Sequence, residues 1–514
     1  MTRRWPALLL IPGLIVAALV FDQRGDTERA RRAGATAPGS VAEGSELAEA
    51  MPVAAPADAL SSVWYCAGGT ASKGGIADHV VVISNPTARR VTGSVTAIPS
   101  VGRSVTKAET LAPHSRLRVA LSGLVTAPFV AGQVEFQGAG IVVEHEVSGP
   151  DGIDAAPCAS SASSQWYFAS GATTRNAQET LVLFNPFPDA ASVDISFATP
   201  EGIRTPSSYQ GFQVPGRSVV ATTVNTQAAV DAQVSTSVVA RSGRIVVDRI
   251  QTFNGDYATD TEADRAAEPY RPKGLTIALG VPRPATTWLF PVGVKDEGAH
   301  ERFVIYNPGT RDAQVDVGVT LVDPSVNGEI DPFSVTVSAG TYQVVDLDDE
   351  DRVPTRVDHS TVVVSRNGVP LVVDRLLDMV APFPGSGTGA SSGTSLVAPT
   401  WVFASGGNVP GKLSERITVQ NPGGRPVTVK VQVVAGGRLR SIAGVGPVTL
   451  GAYGHRVIRF ADKLDDRQVS VLITASAPIA AERLLFRIGD LGMSTAMGIP
   501  LPAGLAAAPA SAQR

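Results

Sequence analysis

Apolar residues between Val63 and Gly498 come in short runs bounded by turn residues, and four of those runs resemble one another: "HVVVIS", "TLVLF", "RFVIY" and "RITVQ". Their β-branched and aromatic content, their brevity and their polar borders predict buried strands. Each ends in Asn-Pro, at Asn85, Asn185, Asn307 and Asn421. Proline fixes φ, removes a ladder donor and pushes the preceding residue into extended backbone, while the Asn amide can bond its own backbone ahead. The strand must stop there. A second strand of period two follows, clearest at Val193, Ile195 and Phe197, at Val315, Val317, Val319 and Leu321, and at Val427, Val429, Val431 and Val433. Such alternation turns one face to a core and the other to water.

The runs belong to a larger repeat. Each unit opens on a tryptophan, Trp64, Trp166, Trp288 or Trp401, spaced by 102, 122 and 113 residues. Each closes on an apolar strand with an acid near its start: Glu144, Asp248, Asp374 or Glu482, followed in the last three by Arg249, Arg375 and Arg483. The intervals from Asn to that acid are 59, 63, 67 and 61 residues. A period of this length fits a β-sandwich module rather than a solenoid turn. We therefore expect an all-β chain of four tandem immunoglobulin-like sandwiches with separate cores. The alternative is a single propeller-like ring of the four repeats, against which stand the unequal connections "TDTEADRAAEPYRPKG" and "PGSGTGASSGTS". The tryptophans read as core plugs, with stacking platforms for glycans as the alternative. The acids and arginines read as pairs holding one module to its neighbours, worth ~0 to 1 kcal/mol each if exposed, and otherwise as a binding face presented four times.

The expected organisation is an anchor or signal peptide over 1–22, a disordered tether over 23–60, and modules over 61–158, 163–257, 286–380 and 399–500. Linkers are expected over 258–285 and, rich in Gly and Ser, over 381–398, with a disordered tail over 501–514. Arg3 and Arg4 precede an uncharged run of 17 residues, Trp5 to Phe21, at the short limit for crossing a bilayer. No A-x-A-like cleavage site follows, which favours an uncleaved single-pass anchor with the rest of the chain outside. The "RGD" at Arg24 to Asp26 lies in the polar flank of that run and is too short a match to carry meaning. Formal net charge is -4 with 18% charged residues, so nothing suggests a nucleic-acid partner. The two cysteines, Cys66 and Cys158, fall at the two ends of the first module, and an oxidising exterior would join them. Two free thiols or part of a metal site are the competing readings.

Other motifs fail on context. "GGNVPGKL", with Gly406, Gly411 and Lys412, nearly spells a phosphate-binding loop but lacks the Ser or Thr and leads into a strand. "GASSG" around Ser391 matches a nucleophile elbow but has no strand-to-helix turn. The histidines show no ligand spacing, and the acidic stretch from Asp346 to Asp351 lacks the glycine of a calcium loop. We expect no cofactor, no metal and no catalytic set.

The tandem pattern W-Y-F-A-x-G … N-P … V-V-[DE]-R behind one N-terminal apolar run resembles an uncharacterised actinobacterial family of large secreted or membrane-anchored envelope proteins. The resemblance spans about Val63 to Gly498, and Cys66 replaces the Phe in the first repeat. It implies location and architecture only. The expected role is a non-enzymatic cell-envelope scaffold or adhesion-type protein whose partner is an envelope protein or wall glycan. The alternative is a carbohydrate-binding accessory of cell-wall or exopolysaccharide assembly.

Overall fold

The computed structural model describes residues 49–200, 202–256, 271–322 and 330–509. The expected anchor over 1–22, the tether up to residue 48, the "RGD", residues 257–270 and the last five residues lie outside them. Among the described residues no helix is long and apolar enough to cross a membrane. These residues form strands in antiparallel sheets, with four short 3-10 turns and no α-helix.

The first repeat lays down β1 (Ser61–Cys66), β2 (Asp78–Asn85), β3 (Val91–Pro99), β4 (Val105–Leu111), β5 (Ser115–Ala120), β6 (Val130–Gln137), β7 (Val142–Gly149) and β8 (Gly152–Pro157). They form two sheets of order β1-β6-β3-β4 and β5-β2-β7-β8. Repeats two and three follow the same order, and so does the fourth. There the sixth and seventh strands are one continuous strand, Ser470–Arg487, whose first part pairs in one sheet and whose second part pairs in the other. The sandwich expectation holds, but the strand order is not that of an immunoglobulin domain. That fold places its first strand beside its second. Here β1 joins β6, and the closing strand β7 joins β2.

Periodicity did its expected work at strand level. Val193, Ile195 and Phe197 are buried, as are Val315, Val317, Val319 and Leu321, while intervening Asp194 and Thr320 retain access to water. The expectation of separate cores is corrected. Trp64 and Val81 share one apolar cluster with Val402, Val434 and Leu472 of the fourth repeat. Ala67 and Ala156 of the first repeat join Trp166 and Phe184 of the second, and Tyr167 and Ala198 join Trp288 and Phe303 of the third.

The eighth strands explain this sharing. Gly152–Pro157, Gly274–Leu279, Gly387–Ser392 and Met493–Met497 each pair with their own seventh strand. They also pack on one another in sequence, the first against the second, second against third, third against fourth and fourth against first. The contacts close into a ring about a common centre, yet the repeats are two-layered sandwiches rather than the radial single sheets of a propeller.

Two expected linkers are therefore corrected. Residues 381–398 contain the eighth strand of repeat three and the start of the next opening strand, Leu396–Phe403, and residues 274–279 of the other linker are a strand. Their Gly and Ser content reflects crowding at the centre. A Cβ on Gly274 would stand 2.8 Å from the backbone N of Thr388, and one on Gly389 would stand 2.6 Å from Met493 Cε. The described end of the tether is also ordered into the body, with Val53 and Ala54 buried and the Ala54 N–H donating to Pro500 O. In the tail, Ala506–Ala507 pairs with Leu396–Val397.

Candidate functional site: four buried joints

Each Asn before Pro is buried and makes the same three bonds. Asn185 Nδ2 donates to Asp189 O and Val214 O at 2.8 and 3.1 Å, and its Oδ1 accepts the Phe187 N–H at 3.0 Å. Asn85, Asn307 and Asn421 repeat this with Thr87, Gly309 and Gly423 as the donors ahead. The side chain thus ties the turn to the end of the fourth strand. It is a structural clasp.

The tryptophans are core plugs. All four are at most 2% exposed, and the indole N–H of Trp166, Trp288 and Trp401 donates to Ile245 O, Leu371 O and Ile479 O. None offers a stacking face to a glycan. Two residues on, Phe168, Phe290 and Phe403 lie against Gly280, Gly393 and Gly498, where a Cβ would come within 2.9, 2.7 and 3.0 Å of the ring. In the first repeat these two positions are Cys66 and Cys158, and they are joined as a disulfide across 92 residues. Covalent closure stands where the other repeats pack a ring on a glycine.

The closing acids are the chemistry that crosses repeats. Each accepts the backbone N–H four residues after a tryptophan in another unit: Gly68 to Asp248 at 2.6 Å, Ser170 to Asp374 at 2.8 Å, Val292 to Glu482 at 2.9 Å and Ser405 to Glu144 at 2.7 Å. The last of these closes the ring between the fourth repeat and the first. The acids are not exposed pairs of small worth. Glu144, Asp248, Asp374 and Glu482 are at most 3% exposed.

In three of the joints the arginine of the preceding repeat completes the set. Arg375 donates to Glu482 Oε1 at 2.7 Å, and Arg483 to Glu144 Oε2 at 3.1 Å. Arg249 bonds Ser170 Oγ, which itself donates to Asp374. Six residues before Asn185, Asn307 and Asn421 sits a third member, Glu179, Glu301 or Glu415, buried near the same arginine. Burial pushes the Glu179 and Glu415 carboxyls up to about 7, against the pull of Arg249 and Arg483. Burial works to lower the Arg483 guanidinium, but Glu144 and Glu415 outweigh it and raise it. Two carboxylates from different repeats do therefore converge, as a glycosidic pair would. They are fully buried with a guanidinium beside them.

The first joint is written differently. His79 stands where the others have Glu, and His145 where they have Arg. His79 Nδ1 bonds Val130 O at 3.0 Å, its Nε2 faces His145 Nδ1 at 3.0 Å, and His145 Nε2 lies 3.7 Å from Asp248 Oδ2. Burial lowers His79 to about 4 and takes His145 well below its ordinary value, and it pushes Asp248 up to about 7. This joint holds no permanent cation at neutral pH.

The remaining candidates resolve into structure. Ser391 lies in the central strand Gly387–Ser392 and donates to Glu482 Oε1 at 2.9 Å, so it is no nucleophile on a turn. In the acidic stretch, Asp348 pairs with His300, and Lys295 Nζ donates to Leu347 O and Glu350 O at 2.7 and 3.0 Å. An ammonium holds the loop carbonyls that a calcium ion would need. Among the described residues no cluster of His, Cys, Asp and Glu has the makings of a metal site. Sequence reasoning missed the joints' third member and the central glycines. Both left signals: a Glu or His six before each Asn, and the segments "GIDAAPC", "GLTIALG", "GTGASSG" and "GMSTAMG", each opening on Gly and ending on Gly or Cys.

Residues 132–368 match a family of unknown function, DUF5719. No curated protein matches the chain. Among solved structures, a tetra-tandem repeat from the extending region of a large adhesion protein aligns at 14% identity over 83% of this chain and 94% of that one, with a TM-score of 0.10. An alpha-L-rhamnosidase of Streptomyces avermitilis aligns at 11% identity over 83% of this chain and 57% of its own, with a TM-score of 0.11. At such scores neither likeness carries an argument about fold or role. The chain is similar over the end of its first repeat, its second repeat and the first six strands of its third to a family whose function is unknown.

Proposed function

We propose that this chain is a non-enzymatic cell-envelope scaffold: a rigid ring of four sandwiches, held outside the membrane by its N-terminal apolar run, that docks an envelope protein or wall glycan. One observation carries this reading. The charged residues that recur in all four repeats are buried and bonded across repeats, so their repetition serves to lock the units into one body. A platform for docking needs such stiffness; a hydrolase needs an accessible acid, base or nucleophile. The Cys66–Cys158 bond supports an oxidising compartment. The carbohydrate-accessory reading called for exposed aromatic platforms, and the four recurring tryptophans do not supply them.

The test is made on intact cells. A membrane-impermeant amine label should modify the protein, alkylation without reductant should find both cysteines blocked, and crosslinking should capture an envelope component. A protein that escapes the label and carries two reduced thiols refutes the reading.

A further inference from the structure

The four eighth strands do not fill the centre they surround. Between them lies a small cavity of about 70 Å3, open at its mouth and lined by Ala156, Leu279, Ala390 and Met497 from the four repeats, with Trp288 and the half-buried Met51 on its walls. Small-molecule sites are mostly apolar with a few placed polar groups, and this cavity has that character on a small scale. Here the small residues follow from the crowding already described, because strands that must approach closely carry Gly and Ala and leave space where they diverge.

One polar group has no structural use. Thr495 lines the cavity and is 3% exposed, and its hydroxyl has no hydrogen-bond partner among the described residues. The equivalent positions in the other repeats are Ala155, Ile277 and Ala390. A buried hydroxyl without a partner costs roughly 1–3 kcal/mol, so an apolar side chain would serve the packing better. By contrast the hydroxyls of Ser391 and Ser392, also on the lining, are engaged by Glu482 and Asp374.

We propose that this axial cavity binds a small uncharged molecule, an apolar ring or short branched chain with one hydrogen-bonding oxygen that pairs with Thr495. No charged group faces it from the lining, so charged ligands are disfavoured by desolvation. The proposal is independent of the envelope role.

The experiment uses the full-length protein with p-cresol as the hydroxylic probe and toluene as its apolar counterpart, followed by calorimetry. Saturable binding of p-cresol at millimolar concentration or below is expected. Thr495→Val keeps the shape and removes the hydroxyl, and should weaken p-cresol about tenfold, equivalent to about 1.4 kcal/mol, while leaving toluene unchanged. Ala278→Leu, at a lining position that is 9% exposed, should weaken both probes. Absence of saturable p-cresol binding overturns the proposal. So does p-cresol binding that Thr495→Val leaves untouched.

Discussion

At residue scale the most economical device is the asparagine before proline. Asn185 places one donor pair on two carbonyls from different segments and one acceptor on the amide two residues ahead. Asn185→Ala should cost about 1–3 kcal/mol in urea unfolding, because it loses these bonds and strands the buried Val214 carbonyl; an unchanged midpoint would mean that water replaces the amide. The Asn-Pro clasp was legible because its partners are local and its residue types leave few options. The joints were not, since Asp248 and the Gly68 amide it serves are 180 residues apart. No pattern of period two records such a meeting. The same distinction orders the ion pairs. Arg375→Met leaves Glu482 buried without its guanidinium and should destabilise by about 3–5 kcal/mol. Arg241→Ala, which removes a pair with Asp194 at a 54% exposed side chain, should move stability by less than about 1 kcal/mol. Paired thermal or denaturant melts check both, and equal effects would contradict the burial argument.

At element scale the lesson is in the eighth strands. Glycine is depleted from strands because it loses more entropy on folding and packs nothing, so "GTGASSG" reads as a linker in isolation. The ring reverses that inference: strands meeting at a centre leave little room where they touch, and all four segments carry Gly at the same position, Gly152, Gly274, Gly387 and Gly492. Composition describes a segment, whereas the reason for it lies in three other segments far along the chain. Gly274→Ala makes the point measurable. Its Cβ would fall 2.8 Å from the Thr388 backbone N, which cannot yield without moving the neighbouring strand, so the substitution should loosen contact between repeats two and three. Gly436→Ala meets nothing within 4 Å and pays only for its φ of +59°, about 1 kcal/mol. Hydrogen exchange of the residue 387–392 amides separates the cases: Gly274→Ala should accelerate it, and Gly436→Ala should not.

At the scale of the whole molecule the ring has three joints alike and one that differs. In the first joint Phe gives way to Cys66, Gly to Cys158, Arg to His145 and Glu to His79, so a titratable set with a covalent bond beside it replaces a guanidinium between two acids. His79 falls to about 4 from an ordinary 6.5 because burial disfavours its charged form, and His145 shifts the same way. Between those limits the unfolded chain binds more protons than the folded one, so the histidines' contribution is complete above pH 6.5 and is lost as pH falls toward 4. Asp248 works in the opposite sense: raised to about 7, it favours the folded state as pH falls. The total curve therefore mixes both signs, and only a difference isolates the histidines. The gap in unfolding free energy between the wild type and a His79→Gln, His145→Gln double variant, which retains Asp248, should shrink by about 3 kcal/mol or more between pH 6.5 and 4. The loss should fall on the joint between repeats one and two, so crosslinks there should fail before those at the arginine joints. A gap that stays constant across that range would mean the two imidazoles are hydrated, and the first joint would then be no more sensitive to acid than the other three.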